Sequence, residues 1–222
     1  MSLGHRQSSQ SGFTLIELLA VIAVIGILAA ILIPTVSAVR VSANKAKTKV
    51  QFMQWAAAIE SFRGAYGYYP ILHESGLVNP PGQSTDPAAL HIFHDVLAGR
   101  RRNFDALPAF ALEAPLAPEA QNRKRIAFHS FAESDITPAI SSAPNLIRDA
   151  FENTAIAVLV DRNLDGVIRI GAGGDFPALP AVGGLTPSGV DFPVAGIRAG
   201  VIFYAPAPGA SVAQPDFIFS WK

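Results

Sequence analysis

The 222-residue sequence contains no cysteine. That excludes a disulfide scaffold, a thiolate zinc site and a cysteine nucleophile, and leaves the compartment open. Charge is scarce, at 15% of residues, and balanced: 17 Lys and Arg against 17 Asp and Glu. With no basic excess, no nucleic-acid partner is expected. The chain has no serine-nucleophile elbow and no phosphate-binding loop. His91 and His94 are three apart, and His73 and His129 lie elsewhere. Catalytic zinc asks for three protein ligands with a supporting second shell, which this spacing does not supply. No catalytic constellation emerges, so the expected role is not enzymatic. Proline and glycine fall mostly after Gly64, making that part loop-rich.

The first fifty residues carry the information. Residues 1–12 are short and polar, with His5 and Arg6 as their only basic side chains. Phe13 to Ile33 is then a 21-residue apolar run in which Glu17 is the one charged residue. As a helix it spans about 31 Å, the thickness of a bilayer's hydrocarbon core. A soluble helix this apolar on every side would be rare in so small a chain. The run therefore reads as a membrane-spanning helix, 13–34. Val36-Ser37-Ala38 has the small residues of a signal-peptidase site, but the apolar run is about twice the usual length and continues into helix-compatible sequence.

Glu17 is costly there: at the bilayer centre a carboxylate costs roughly 2.5–3.5 kcal/mol, so an intramembrane Glu asks for a named partner. No Lys or Arg lies nearby. Cutting after Gly12 would make one, because the new α-amino group of Phe13 is charged near neutral pH. Phe13 and Glu17 are one helical turn apart, and in a polymer Glu17 of one subunit would equally meet the amine of its neighbour. The segment Gly12-Phe13-Thr14-Leu15-Ile16-Glu17-Leu18-Leu19 resembles the prepilin leader of type IV pilins and type II secretion pseudopilins. The resemblance implies cleavage after Gly12 by a prepilin peptidase, methylation of Phe13 and an assembly role for Glu17. Gly26 and Pro34 fall where that family has its helix-loosening glycine and proline. It also places the head outside the cytoplasm. Arg40, Lys45, Lys47 and Lys49 would by the positive-inside rule point the other way, and the topology adopted here follows the resemblance.

Beyond the membrane, Pro34 removes a backbone hydrogen bond and predicts a kink. Val36, Val39, Ala43, Ala46, Val50, Met53 and Ala57 then recur at spacings of three and four, an amphipathic stripe over the stalk 35–64. A second, bulkier stripe, Phe52, Trp55, Ile59 and Phe62, sits about 100° round the helix and is expected to form core. The small-residue stripe suits close approach of neighbouring helices. Gly64 and Gly67 are the expected stop signals.

The head, 65–222, carries weaker signals. Tyr66-Gly-Tyr-Tyr-Pro70 resembles the stretch after the long helix in major pseudopilins and doubles as an aromatic turn. Asp86-Pro87 predicts a helix from Pro87 to Gly99, capped by Asp86, with Leu90, Phe93 and Leu97 on its apolar face. Residues 100–122 read as an exposed excursion, with Arg100-Arg101-Arg102 in a solvated turn. Asn122 to Phe128 resembles a stretch in large-headed pseudopilin-like proteins. Strands are predicted at 155–160, 167–170, 196–204 and 216–221. Asp149-Ala150-Phe151-Glu152-Asn153 resembles the aspartate-proline-tryptophan-glycine-asparagine box of major pseudopilins, with Ala150 in place of the proline and Glu152 in place of the glycine. Ser220-Trp221 resembles their C-terminal serine-tryptophan.

Asp161, Asn163 and Asp165, followed by Gly166, have the first half of a calcium loop, and the second half is missing: Ala172 stands where a bidentate Glu belongs. The other reading of the same residues is a hairpin turn on Asp165-Gly166. Calcium is the one cofactor implied, since major pseudopilins commonly bind it, and Asp149, Asp175 or Asp191 would complete the set.

The expected fold is α+β: a long N-terminal helix, transmembrane in its first half and amphipathic in its second, packed against a small antiparallel sheet, as in pilin-like proteins. The expected function is a structural subunit of a type II secretion pseudopilus, a helical homo-oligomer. Its partners would be prepilin peptidase, the inner-membrane assembly platform and minor pseudopilins, with the lipid bilayer around the helix before assembly. The location implied is the bacterial inner membrane, N-terminus in the cytoplasm and head in the periplasm. The alternatives are a type IV pilus subunit, or an anchored periplasmic binding domain or enzyme.

Overall fold

The computed structural model describes residues 13–108 and 117–222. Its first element is α1, Leu15–Tyr66, a helix of 52 residues. Gly67 ends it in the left-handed conformation (φ 83°), its N–H reaching back to the Arg63 carbonyl at 2.7 Å. This corrects one expected stop: Gly64 lies inside the helix, and only Gly67 occupies the φ > 0 position a helix terminus favours. The helix runs on through Pro34, and the following Thr35 hydroxyl donates to the carbonyls of Ile31 and Leu32. The chain divides into two compact units, residues 1–43 and 44–222.

Within the first unit the helix side chains are almost all exposed. Within the second, the bulky stripe is core: Phe52, Trp55, Ile59 and Phe62 are fully buried. The small-residue stripe, Val36 through Ala57, is exposed.

The sheet has three antiparallel strands in the order β1 (Ala157–Val160), β2 (Val201–Pro206) and β3 (Phe217–Phe219). Ala157 pairs with Tyr204, and Tyr204 with Phe219. Side chains alternate across the strands. Val158, Val160, Phe203, Ala205 and Ile218 join Phe52, Trp55 and Ile59 of α1 in one cluster. Ala157, Leu159, Ile202, Tyr204 and Phe219 join Ile168, Phe176, Val182 and Ile197 in another. The helix covers one face and looped chain the other, so the strands read as unbroken apolar runs.

The predicted strand 167–170 does not form. Ile168 makes a single bridge to Ile197 and Ile170 one to Phe176, so this segment covers the sheet's outer face instead of extending its edge. The edge of β1 is met by a bridge from Leu77.

The helix expected from Pro87 is shorter: α2 runs Ile92–Ala98, capped by His91, whose side chain accepts from the His94 N–H. Asp86 caps a separate turn, accepting from Ala88 N–H through Oδ1 and Ala89 N–H through its carbonyl. The reason is Arg102. It is 6% exposed, not solvated, and its guanidinium takes the carbonyls of Ser84, Asp86 and Ala89, which an earlier helix start would redirect. Leu90 accordingly lies off the helix and exposed, while Phe93 and Leu97 are core. Arg101 is likewise engaged, paired with Asp95 at 2.6 Å. Residues 109–116 of the expected excursion lie outside the described residues; α3, Pro118–Gln121, follows them.

Candidate functional site

The N-terminal segment is built around Thr14 and Glu17. Glu17 Oε2 accepts from the Thr14 N–H at 2.8 Å and from its hydroxyl at 2.7 Å, while Thr14 Oγ1 accepts from Glu17 N–H at 3.3 Å. This is a capping box: threonine at the N-cap, glutamate three residues on, each satisfying the other's backbone donor. The Thr-x-x-Glu spacing ahead of an apolar run is legible from sequence, and Thr14 was the functional residue missed there. The carboxylate also sits in the first helical turn, where the macrodipole favours a negative charge. Oε2 takes both bonds, and Oε1 has no hydrogen-bond partner among the described residues. Both box residues lie downstream of Gly12, so cleavage there leaves the cap intact.

Gly12 and the rest of the expected leader, 1–12, lie outside the described residues. Phe13 precedes the helix and is 83% exposed. Gly26 sits inside α1 with nothing within 4 Å of where a Cβ would be, so no contact among the described residues demands glycine there. Pro34 lies within the same helix. One helix among the described residues is long and apolar enough to cross a membrane, and its most apolar window is wholly unburied.

Asp161, Asn163 and Asp165 do share one loop. Asp161 is buried, its Oδ1 accepting from Asp165 N–H and its Oδ2 from Gly166 N–H at 2.7 Å. Asn163 Oδ1 accepts from Asp165 N–H, and Asp165 Oδ1 from Val167 N–H. Asp165 Oδ2 is bonded to the Arg169 guanidinium, which with the Val167 N–H holds its pKa below the usual carboxylate range. Of the three candidate completing residues, Asp175 reaches the loop, accepting from the N–H groups of Arg162 and Arg169. Asp149 closes its own turn, and Asp191 pairs with Lys222. No group of three His, Cys, Asp or Glu side chains placed to hold a metal occurs among the described residues. As placed, the donor set does not fit a calcium ion: its oxygens face backbone N–H groups and an arginine, and they close a turn. That turn is not the expected β-hairpin, because β1 pairs with β2.

The family-like stretches act as clasps. Tyr69 donates to Glu60 at 2.7 Å and accepts from Arg63 at 2.9 Å, and burial with Glu60 beside it pushes the phenol up to about 12. Its hydroxyl lies where a Cβ on Gly200 would stand, so this contact requires glycine. Tyr66 donates to Asn122, a buried residue whose amide also bonds the carbonyls of Val96 and Ile126. Asp149 Oδ1 accepts from the N–H groups of Phe151 and Asn153, and Glu152 between them stands at φ 63°. Ser220 Oγ accepts from Phe203 N–H, and the Trp221 ring packs tilted against Phe219, centroids 4.5 Å apart.

Residues 7–33 match the family described as Prokaryotic N-terminal methylation motif. Neither the curated proteins nor the solved structures contain a significant match to the chain. The matched motif supports a type IV pilin-like structural subunit, and with the apolar helix that follows it is consistent with membrane anchoring. The α+β architecture agrees with a pilin-like fold.

Proposed function

We propose that this chain is a structural subunit of a type II secretion pseudopilus, cut after Gly12, methylated on Phe13 and polymerised through its N-terminal helix to drive protein export. The carrying observation is the methylation motif joined to an unburied apolar helix whose first turn holds a carboxylate with one oxygen unpartnered among the described residues. Glu17 Oε1 meets the terminal amine of a neighbouring subunit, which neutralises both charges in a medium where an unpaired one is costly. The exposed small-residue stripe lets helices approach closely around it. Support for a pseudopilus over a pilus comes from the Tyr66–Pro70 and Ser220-Trp221 stretches. The head stands in the periplasm, and the assembly platform and minor pseudopilins are its partners.

Co-expression with a prepilin peptidase, followed by intact mass and N-terminal sequencing, tests the reading. The expected product begins at Phe13 and carries one added methyl group. Glu17→Gln should be cut normally and melt as the parent does, yet form no filaments by electron microscopy. An uncut chain, or filaments at parental yield from the variant, overturns the proposal.

A further inference from the structure

The proposed assembly runs through α1 and makes no use of the far end of β1. There the chain borders a cavity of about 710 Å³, within the range of roughly 300–1,000 Å³ typical of binding sites. Its walls are mainly apolar: Tyr69, Leu72 and Val160 are buried, and Leu164 is exposed beside them. Arg162 and Glu74 also line it, both exposed and opposite in sign, so the cavity favours no net charge.

The register of the sheet fixes what Val160 presents. Asp161 N–H donates to the Gly200 carbonyl at 2.9 Å, one residue beyond the pair Val160–Val201. Hydrogen-bonded pairs alternate along an antiparallel ladder. Ala157, Leu159 and Asp161 therefore direct their main-chain groups at β2, and Val158 and Val160 direct theirs at the outer edge. Val158 N–H finds the Gly76 carbonyl there, at 2.8 Å. The edge pairing then stops. Gly76 N–H turns back to the His73 carbonyl, and neither main-chain group of Val160 has a partner among the described residues. Val160 is nevertheless only 3% exposed. Buried main-chain groups are nearly always paired, so an open donor and acceptor side by side on an apolar cavity wall mark a place for another main chain. Leu164 adds to this. It is held at φ 62° although bulky and 45% exposed, and an apolar side chain kept in the open by a strained backbone points to a contact with something else.

We propose that this cavity takes an extended, uncharged segment of a partner polypeptide, which adds one residue to the edge of β1. The N–H of that residue donates to the Val160 carbonyl, and its own carbonyl accepts from Val160 N–H. In such strand addition, main-chain bonds give affinity and side-chain pockets give specificity. The two side chains of a directly opposed pair lie on one face of the sheet, and Val160 packs with Tyr69 and Leu72 on the α1 face. The entering residue is therefore apolar, its side chain turned toward Tyr69 and Leu72, with Leu164 supplying further apolar contact.

The test is an NMR titration of the full chain in non-ionic detergent with the tripeptide acetyl-Ser-Leu-Ser-amide. The Val160 amide resonance should shift and saturate at millimolar peptide. N-methylation of the leucine removes the donor to Val160 and should weaken binding about fivefold, the usual worth of one hydrogen bond. N-methylation of the following serine, whose N–H points away from β1, should leave binding within about twofold. Leu164→Gly relieves the backbone, so it should melt at or above the parent's temperature yet bind the tripeptide about threefold more weakly. No saturation, equal loss from the two methylations, or parental binding by Leu164→Gly overturns the proposal. A Val160 shift that follows protein concentration with no peptide present would make a second copy the occupant, and overturns it equally.

Discussion

Glu152 carries the clearest local conflict between side chain and backbone. It stands at φ 63°, in the turn that Asp149 closes, at the position where the resembling box has glycine. A non-glycine residue there costs on the order of 1 kcal/mol. Its ion pair with Arg148 is four-fifths exposed on the Glu152 side and returns little. Glu152→Gly should therefore raise stability by about 0.5–1 kcal/mol, read as a higher melting temperature of the full chain in detergent. Lower stability would mean the Arg148 pair outweighs the backbone. The substitution was visible in the sequence, but that the backbone still adopts the left-handed conformation was not, because only the Asp149 hydrogen bonds force it.

At the scale of elements, α1 carries two stripes with different fates. The bulky one is buried under the sheet, and the small-residue one is open. Ala46→Glu on the open stripe should leave the melting temperature of the lone chain within about 1 °C, since exposed substitutions cost little. Under the proposed assembly it should abolish filaments, which negative-stain microscopy would show. The Asp161–Gly166 loop is the second element with a definite expectation. Its carboxylates already face backbone N–H groups and Arg169. Chelation of calcium should then leave melting unchanged; a drop on adding chelator would show an ion stabilising the folded state and reverse this account.

For the whole molecule, the buried histidines set a pH dependence. His91, His94 and His129 all have pKa values lowered by burial, with Arg102 adding to the effect at His91 and His94. Asp95 at His94 and Asp135 at His129 oppose it without reversing it. Below the unfolded value of about 6.5 the unfolded chain binds more protons than the folded one. Stability is thus fully present above about pH 6.5 and is lost as pH falls from there toward the lower folded values. Asp149, raised by burial, works in the opposite sense at more acid pH. Melting followed by near-ultraviolet circular dichroism should show a lower midpoint at pH 5.5 than at pH 7.5, and equal midpoints would refute this. What the sequence by itself determined was whatever depends on near neighbours along the chain: the apolar span, the two stripes of α1, the methylation motif and the apolar strands, since helical period and hydropathy are local properties. Even Thr14 was readable from its spacing to Glu17. The tertiary structure alone decided the start of α2, the burial of Arg102, the loss of the strand at 167–170 and the choice of Asp175 as the loop's partner. Each depends on which distant carbonyl, edge or carboxylate arrives at the same place, and hydrogen-bond partners far apart in the chain leave no periodic trace in it.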